Sequence, residues 1–273
     1  MSKLQKTLAA LKAQNKTALI PYITAGDPHP DMTVKLMHLL VSEGADIIEL
    51  GVPFSDPMAD GPVIQKAVER ALAHNVSLDD VLNYVREFRI TDHHTPIVLM
   101  GYLNPIEAKG FETFAQEAQA AGADGVLTVD MPPEETMGYL ESVSNHGLDR
   151  VFLVSPTTPD GRLAAVNEKG SGFVYYVSLK GVTGSKALDV KDVESHVAHL
   201  KSKTNLPVGI GFGISSGEIA YEMAKIGDAI IVGSALVRLV EDQPGASYET
   251  LANLISHKMK EFRSALDKAD AEA

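Results

Sequence analysis

The stretch GADIIEL (44–50) joins the end of a helical segment to the start of an apolar strand, and the chain repeats this junction. The related stretches are GADGV (122–126) and GDAI (227–230). A glycine at such a corner is expected to end the helix in a left-handed conformation, and the apolar run that follows has strand length. The repeat therefore predicts several helix-to-strand units of one kind.

Outward from this junction, the sequence contains eight short apolar runs. They show little alternation of apolar and polar residues, which is typical of strands buried on both faces of a parallel sheet. Helix-period segments separate the runs, and Leu4, Leu8 and Leu11 indicate one further helix at the N-terminus. Eight strands alternating with helices favour an α/β fold, a (β/α)8 TIM barrel with an extra N-terminal helix. The predicted strands are 18–24, 46–50, 96–102, 124–129, 150–154, 172–177, 207–212 and 228–233.

The length of 273 residues suits one barrel, so residues 1–273 are predicted to form a single domain. A final helix is expected over about 247–266, and the tail from Leu266 to the C-terminus is expected to fray. The other predicted helices cover 31–43, 62–74, 111–121, 134–145, 190–203 and 215–226.

Composition excludes several classes of function. The formal net charge is −12, which argues against a nucleic-acid or anionic membrane surface. The chain has no cysteine, so it offers neither a disulfide framework nor a thiolate metal site. No apolar run approaches the length of a membrane helix, and no signal peptide is evident. These features predict a cytoplasmic protein. No metal site is expected, because the histidines lack the carboxylate or thiolate partners that such a site would need.

Glu49 is the first candidate catalytic residue. Ile47, Ile48 and Leu50 surround it in a strand that should otherwise be wholly apolar. A buried carboxylate is costly unless it is paired or neutralised, and burial raises its pKa toward the range of a general acid–base. The alternative is a structural carboxylate that bonds the neighbouring backbone or a lysine.

The segment 51–62, GVPFSDPMADGP, is too rich in proline and glycine to be a helix, so it is predicted to form a loop over the barrel mouth. It should bring Asp56 and Asp60 near Glu49, an arrangement suited to proton transfer or cation stabilisation. Asp60 could instead cap the helix that follows. The loop also carries Pro53, Phe54, Pro57 and Met58, an apolar set that is unusual on a protein that works alone.

Phosphate binding is predicted at two glycine-marked turns, 209–216 and 232–235, which follow the last two strands. Glycines let backbone N–H groups approach an anion, and barrels often bind phosphate at these two loops. The alternative is that the glycines merely serve tight turns. The segment GVTGS (181–185), after strand six, is predicted to be a mobile lid, or else an ordinary long loop.

The run ELGVPFSDPMADGPVIQ (49–65) resembles the signature of the tryptophan synthase alpha family. The resemblance continues through PYITAGDP (21–28), Asn104-Pro105, GVTG (181–184) and GFGIS (211–215), and it covers nearly the whole chain. Tyr22 stands where phenylalanine is frequent in the family. Lys180 and Lys186 make the predicted lid more cationic than expected.

The resemblance implies a role for individual positions. Glu49 matches the catalytic acid–base, Asp60 the second catalytic carboxylate, and Tyr175 a tyrosine of the catalytic pocket on the indole side. Substrate-binding positions are Tyr22, Met100, Leu127, Phe212 and Thr183, and phosphate-binding positions are Gly184, Gly213, Gly233 and Ser234.

The resemblance also implies the reaction and the partner. The reaction would be retro-aldol cleavage of indole-3-glycerol phosphate, without any cofactor in this chain. The partner would be the beta subunit, which carries pyridoxal phosphate and takes up the indole within an αββα tetramer. Residues expected at that interface are Pro53, Phe54, Asp56, Pro57, Asn104 and Pro132.

Three alternatives are weighed against this interpretation. One is another phosphate-binding barrel, such as an isomerase or an indole-glycerol-phosphate synthase, but those lack the acidic loop after strand two. A second is a regulatory module with little catalysis, against which the intact Glu49 and Asp60 argue. The third is a free-standing lyase that releases indole without a partner.

Overall fold

The chain folds into a closed barrel of parallel strands. The structure, a computed structural model, describes residues 1–136, 138–177, 190–211 and 213–272. Within them each strand pairs with the next, and the last pairs with the first, so the prediction of an eight-stranded TIM barrel is confirmed. The strands are β1 Ala18–Thr24, β2 Ile48–Gly51, β3 Ile97–Gly101, β4 Gly125–Thr128, β5 Asp149–Val154, β6 Val174–Val177, β7 Val208–Gly211 and β8 Ala229–Val232.

Helices surround the barrel, and most predicted ones are present. Residues 134–145 differ, because a 3-10 turn (Pro133–Glu135) and the left-handed Gly138 (φ +77°) delay the helix to Tyr139. Among the described residues, no helix has both the length and the apolar character of a membrane span. The helices are α1 Lys3–Ala13, α2 Thr33–Ser42, α3 Pro62–Leu72, α4 Leu78–Phe88, α5 Leu103–Lys109, α6 Phe111–Ala121, α7 Tyr139–Asn145, α8 Asp160–Lys169, α9 Val190–Lys203, α10 Gly217–Ala224, α11 Ser234–Glu241 and α12 Tyr248–Glu272, with a further 3-10 turn at Pro30–Met32.

The extra N-terminal helix closes the bottom of the barrel. Leu4 and Leu8 of α1 are buried and join the cluster of side chains that fills the barrel interior. Ser2 and Gln5 form a capping box at the start of α1, and both side chains also donate to the Asp149 carboxylate at the start of β5. The N-terminal mouth is thereby sealed, which leaves the opposite mouth for a site.

Reciprocal hydrogen bonds link the even-numbered strands to their predecessors at this bottom end. In each case a residue just before the even-numbered strand makes two hydrogen bonds with one residue of the preceding strand. Its side-chain oxygen accepts that residue's backbone N–H, and its backbone N–H donates to that residue's carbonyl, at 2.8–3.0 Å. The pairs are Asp46 with Leu19, Asp124 with Ile97, Ser171 with Arg150 and Asp228 with Val208. Three of the four pairs use the aspartate of the repeated junction, so that junction helps to fix strand pairing.

The repeated glycines do not all behave as expected. Gly44 (φ +96°) and Gly122 (φ +98°) have the predicted left-handed conformation. Gly227 does not, so the expectation was wrong at that position. A side chain there would instead press on Ile210, because a β-carbon would lie 2.9 Å from the Ile210 side chain.

The C-terminal tail does not fray from Leu266, contrary to the expectation. Helix α12 continues to Glu272, because Phe262, Leu266 and Ala269 recur on one helix face and are all buried. The Asp270 carboxylate also accepts hydrogen bonds from the backbone N–H and the hydroxyl of Thr17. The last turns of α12 are thus part of the core.

Truncation of Leu266 tests this packing. We expect Leu266→Ala to lower the free energy of unfolding by about 2–5 kcal/mol, because it removes a fully buried side chain. The exposed Ser264→Ala on the same helix should change it by less than about 0.5 kcal/mol. Urea denaturation measures both, and equal small effects would mean that the tail contributes nothing to the fold.

Candidate functional site

The site lies at the carboxyl ends of the strands, where inward-facing side chains of neighbouring strands meet. Tyr22 of β1 is paired in register with Glu49 of β2, and Met100 of β3 with Leu127 of β4. Met100, Leu127 and Tyr175 of β6 pack on the cluster that fills the barrel interior. The structure therefore brings the predicted pocket residues of five strands to one mouth.

Glu49 is a buried carboxyl group without a hydrogen-bonding partner. Its side chain is 1% exposed, and neither carboxyl oxygen has a hydrogen bond within the described part of the chain. Burial raises the pKa of Glu49 from 4.5 to about 8, and the negative charge of Asp60 adds to the rise. At neutral pH Glu49 is therefore mostly protonated and can act as an acid.

Asp60 ends the loop between β2 and α3 and is half-buried. Burial raises the pKa of its carboxyl to about 6, against a hydrogen bond from the Tyr102 hydroxyl that lowers it. At neutral pH Asp60 is thus mostly ionised. At neutral pH the Glu49 carboxyl is therefore mostly protonated and the Asp60 carboxyl mostly ionised. This pattern is typical of a general acid beside a charged carboxylate.

Asp56 does not join this pair, so the expectation that it lies near Glu49 was wrong. It is exposed, and its carboxylate accepts a hydrogen bond from the Ser55 hydroxyl at 2.6 Å. Asp60, not Asp56, is the loop charge that acts on Glu49.

Tyr102 is a site residue that the sequence reasoning missed. It is buried just beyond β3, and its hydroxyl oxygen accepts the Ala59 N–H at 3.1 Å while the hydroxyl bonds Asp60. The Phe54 ring packs on it, with 5.5 Å between ring centres. A hydroxyl directly after a barrel strand is the signal that could have revealed it, because that is where barrel sites lie.

Two glycines make room for the two tyrosines that face Glu49. A β-carbon on Gly51 would overlap the Tyr22 hydroxyl, and one on Gly211 would overlap the Tyr175 hydroxyl. The Tyr22 hydroxyl lies 3.1 Å from the Thr24 hydroxyl. Burial and the nearby acids raise the pKa of both tyrosines, so both remain neutral donors in the pocket.

Two of the predicted phosphate-binding residues, Gly233 and Ser234, lie at the start of α11. Gly233 is its N-cap residue and makes no side-chain capping bond, while Ser234 is exposed in the first turn. By contrast, Ser216 caps α10 with its own hydroxyl. Gly233 borders Tyr22, and Gly213 adopts a left-handed conformation (φ +77°) after β7. Open N–H groups at α11 can hold an anion beside the apolar pocket.

Three predicted site residues, Phe212, Thr183 and Gly184, lie outside the described residues. The predicted lid at 181–185, with Lys180 and Lys186, does so too. In the part of the chain that the structure describes, no group of three or more His, Asp or Glu side chains could hold a metal ion.

The expected interface residues are placed unequally. Asn104 is exposed, and Phe54, Pro57 and Pro132 are half-buried near the barrel mouth. Pro53 is buried and does not project from the loop as expected. The residue before it, Val52, still donates its N–H to Met100 of β3 at 2.8 Å. Met58, at 78% exposure, is the apolar apex of the loop.

Comparison with known families assigns the chain to one of them. Residues 8–267 match the family model described as tryptophan synthase alpha chain. The chain belongs to the tryptophan synthase alpha chain family. The tryptophan synthase alpha chain of Hydrogenovibrio crunogenus is 70% identical over 100% of both chains, and that of Marinobacter nauticus is 56% identical over 97% of this chain and 99% of the relative.

Solved structures agree with the family in fold. Tryptophan synthase subunit alpha from Legionella pneumophila superposes with a TM-score of 0.91 at 47% identity, covering 98% of this chain and 99% of that one. A chain of tryptophan synthase from Mycobacterium tuberculosis, in an aminoacrylate- and BRD0059-bound form, gives 0.86 at 35% identity, covering 97% and 98%. The chain is therefore an alpha-chain barrel of an enzyme family of tryptophan biosynthesis.

The raised pKa of Glu49 predicts a pH-dependent stability change. Between pH 4.5 and about 8 the unfolded state loses the Glu49 proton while the folded state keeps it, so this group makes folding less favourable as pH rises. We expect Glu49→Gln to be increasingly stabilising from pH 5 to pH 9, with a total on the order of a few kcal/mol.

Urea denaturation at several pH values measures this difference. A suitable control is Glu112→Gln, because hydrogen bonds from His146 and Ser142 lower the pKa of this exposed carboxyl. It is therefore ionised in both the folded and the unfolded state above pH 5, and its difference should not show the rise expected for Glu49→Gln. A Glu49→Gln difference that stays flat with pH would contradict the raised pKa.

Proposed function

We propose that the chain is a carbon–carbon lyase that cleaves indole-3-glycerol phosphate to indole and glyceraldehyde 3-phosphate. The observation that carries the proposal is the pair of acids at the barrel mouth, with Glu49 mostly protonated and Asp60 mostly ionised at neutral pH. This reaction needs one proton donor and one fixed negative charge.

The Glu49 carboxyl protonates indole C3, which dearomatises the ring and leaves positive charge on the ring nitrogen. The Asp60 carboxylate accepts the ring N–H and stabilises that cation. The Glu49 carboxylate then takes the proton of the adjacent glycerol hydroxyl. The carbon–carbon bond breaks, its electron pair restores the indole ring, and the hydroxyl carbon becomes the aldehyde. Glu49 ends protonated, so the protons balance without a cofactor in this chain.

The pocket supplies the remaining contacts. Met100 and Leu127 offer apolar surface for indole, and the start of α11 offers N–H groups for phosphate. Neutral tyrosines at positions 22 and 175 leave the anionic charge to Asp60. Activity should therefore require protonated Glu49 and ionised Asp60, rising through pH 6 and falling through pH 8 in the free enzyme.

We further propose that the product indole passes to a pyridoxal-phosphate-dependent beta subunit in an αββα complex. The exposed apex at Met58 and the rim residue Asn104 support a docking surface beside the mouth. Because the same loop ends at Asp60, docking can change the position of a catalytic carboxylate.

Substitution of the two acids tests the chemistry. We expect Glu49→Gln to lower kcat by roughly 10²–10⁴-fold with substrate still bound, because the amide cannot deliver the proton. Asp60→Asn should also lose most activity, because an amide cannot offset the cation. Steady-state indole release and a binding titration measure both effects. Asp31→Asn, in the 3-10 turn Pro30–Met32 and with an exposed side chain, is the control. A Glu49→Gln enzyme within tenfold of wild type would overturn the assignment.

A titration with beta subunit tests the partner. We expect indole-3-glycerol phosphate cleavage to rise as beta subunit is added, and Pro57→Lys or Asn104→Trp to weaken that rise. Size-exclusion chromatography follows the complex. Ile90→Lys is the matched control, because Ile90 is 73% exposed beyond the C-terminal end of α4, at the bottom of the barrel. Flat activity and no complex would favour a free-standing lyase.

A further inference from the structure

The turn Pro57–Asp60 connects the exposed and the catalytic parts of the strand-two loop. The Asp60 N–H donates to the Pro57 carbonyl at 3.1 Å, which closes the turn. Met58 at its apex is 78% exposed, whereas the Asp60 carboxyl at its end is half-buried in the pocket. A displacement of the apex therefore has a short covalent path to the carboxylate.

One side chain from outside the loop contacts both ends of this turn. The Gln65 amide donates to the Asp60 carbonyl at 2.8 Å and lies 3.4 Å from the Pro57 carbonyl. A glutamine amide has two N–H donors, so it can serve both carbonyls at once. On the opposite side, Tyr102 accepts the Ala59 N–H and bonds the Asp60 carboxyl. The turn is thus held between two side chains.

Helix α3 gives Gln65 a fixed base. The Gln65 N–H makes the first helical hydrogen bond, to Gly61, at 3.0 Å. Arg70 forms a bidentate ion pair with the buried Asp27 at 2.6 and 2.9 Å, and Lys66 pairs with Glu241 of α11 at 2.6 Å. The helix is therefore tied both to the loop after β1 and to the helix whose start offers N–H groups for phosphate.

We infer that Gln65 is a positioning residue that holds Asp60 against the turn and transmits movement of Pro57, on the docking surface, to the catalytic carboxylate. The inference rests on the proposed function and deepens it. On this inference the Gln65 amide sets the position of Pro57, an expected interface residue, relative to Asp60, the proposed catalytic carboxylate on the same short loop.

The test compares wild type with Gln65→Met, which keeps length but removes the donors, and Gln65→Glu, which keeps shape and also lacks the amide donors. We expect both to lower kcat of the isolated chain by about three- to tenfold, with KM within about twofold. Their stimulation by saturating cognate beta subunit should fall at least about threefold, while the affinity of the complex stays within about threefold of wild type.

The pH profile separates positioning from a structural effect. In Gln65→Met, which adds no charge beside Asp60, loss of the amide should move the acid limb, which reports Asp60, to higher pH, because the carboxylate is held less firmly against Tyr102. Glu69→Gln, on the exposed face of the same helix, is the matched control and should leave rate, stimulation and profile unchanged. Thermal unfolding confirms that each variant is folded.

Wild-type rate, stimulation and acid limb in Gln65→Met or in Gln65→Glu would overturn the inference while leaving the lyase assignment intact. The same holds for a loss matched by Glu69→Gln. A wild-type chain that does not cleave indole-3-glycerol phosphate would overturn both.

Discussion

The constraint on which this structure depends is the buried Glu49 carboxyl group, to which none of the described residues gives a hydrogen bond. Burial of a charge without compensation is costly, so the pKa of Glu49 is raised and the carboxyl keeps its proton. The same burial makes Glu49 an acid that is available at neutral pH. The barrel tolerates this cost because α1 and the interior apolar layers complete the core beneath it. Asp60, by contrast, lies on a loop, is only half-buried and accepts a hydrogen bond from Tyr102, so it keeps its negative charge at neutral pH.

Much of the fold could be predicted from the sequence, because barrel strands are short and apolar and helices separate them. Boundaries were harder to predict where glycine or proline decided them, as at Gly138, or where Pro105 lies in the first turn of α5, a position that tolerates proline. The pair of Ser171 with Arg150 could not be predicted from the glycine–aspartate repeat, because a serine hydroxyl is the acceptor there and aspartate carboxylates are the acceptors in the other three pairs.

The site residues that could be predicted from the sequence are those that lie in a strand or directly after one. Glu49 stood out as a charge in an apolar strand, and the glycine turns pointed to phosphate. The roles of Tyr102 and Gln65 could not be read in the same way, because each depends on how a loop folds back onto a distant strand or helix. Asp56 and Asp60 are four residues apart and look alike in sequence, yet only the structure distinguishes the exposed acid from the pocket acid.

The reciprocal pairs at the bottom of the barrel recur before β2, β4, β6 and β8, and so they divide the barrel into four modules of two strands each. Within a module the two strands are joined by side chain and backbone together, whereas among the described residues that side-chain link does not recur between modules. Such a barrel is built in steps of two strands. Loss or duplication of a single strand and its helix would separate the two strands of a module and break their reciprocal pair. Exchange of a whole two-strand module, one quarter of the barrel, would preserve every pair. The unit that recombination could exchange without disturbing strand pairing is therefore the two-strand quarter.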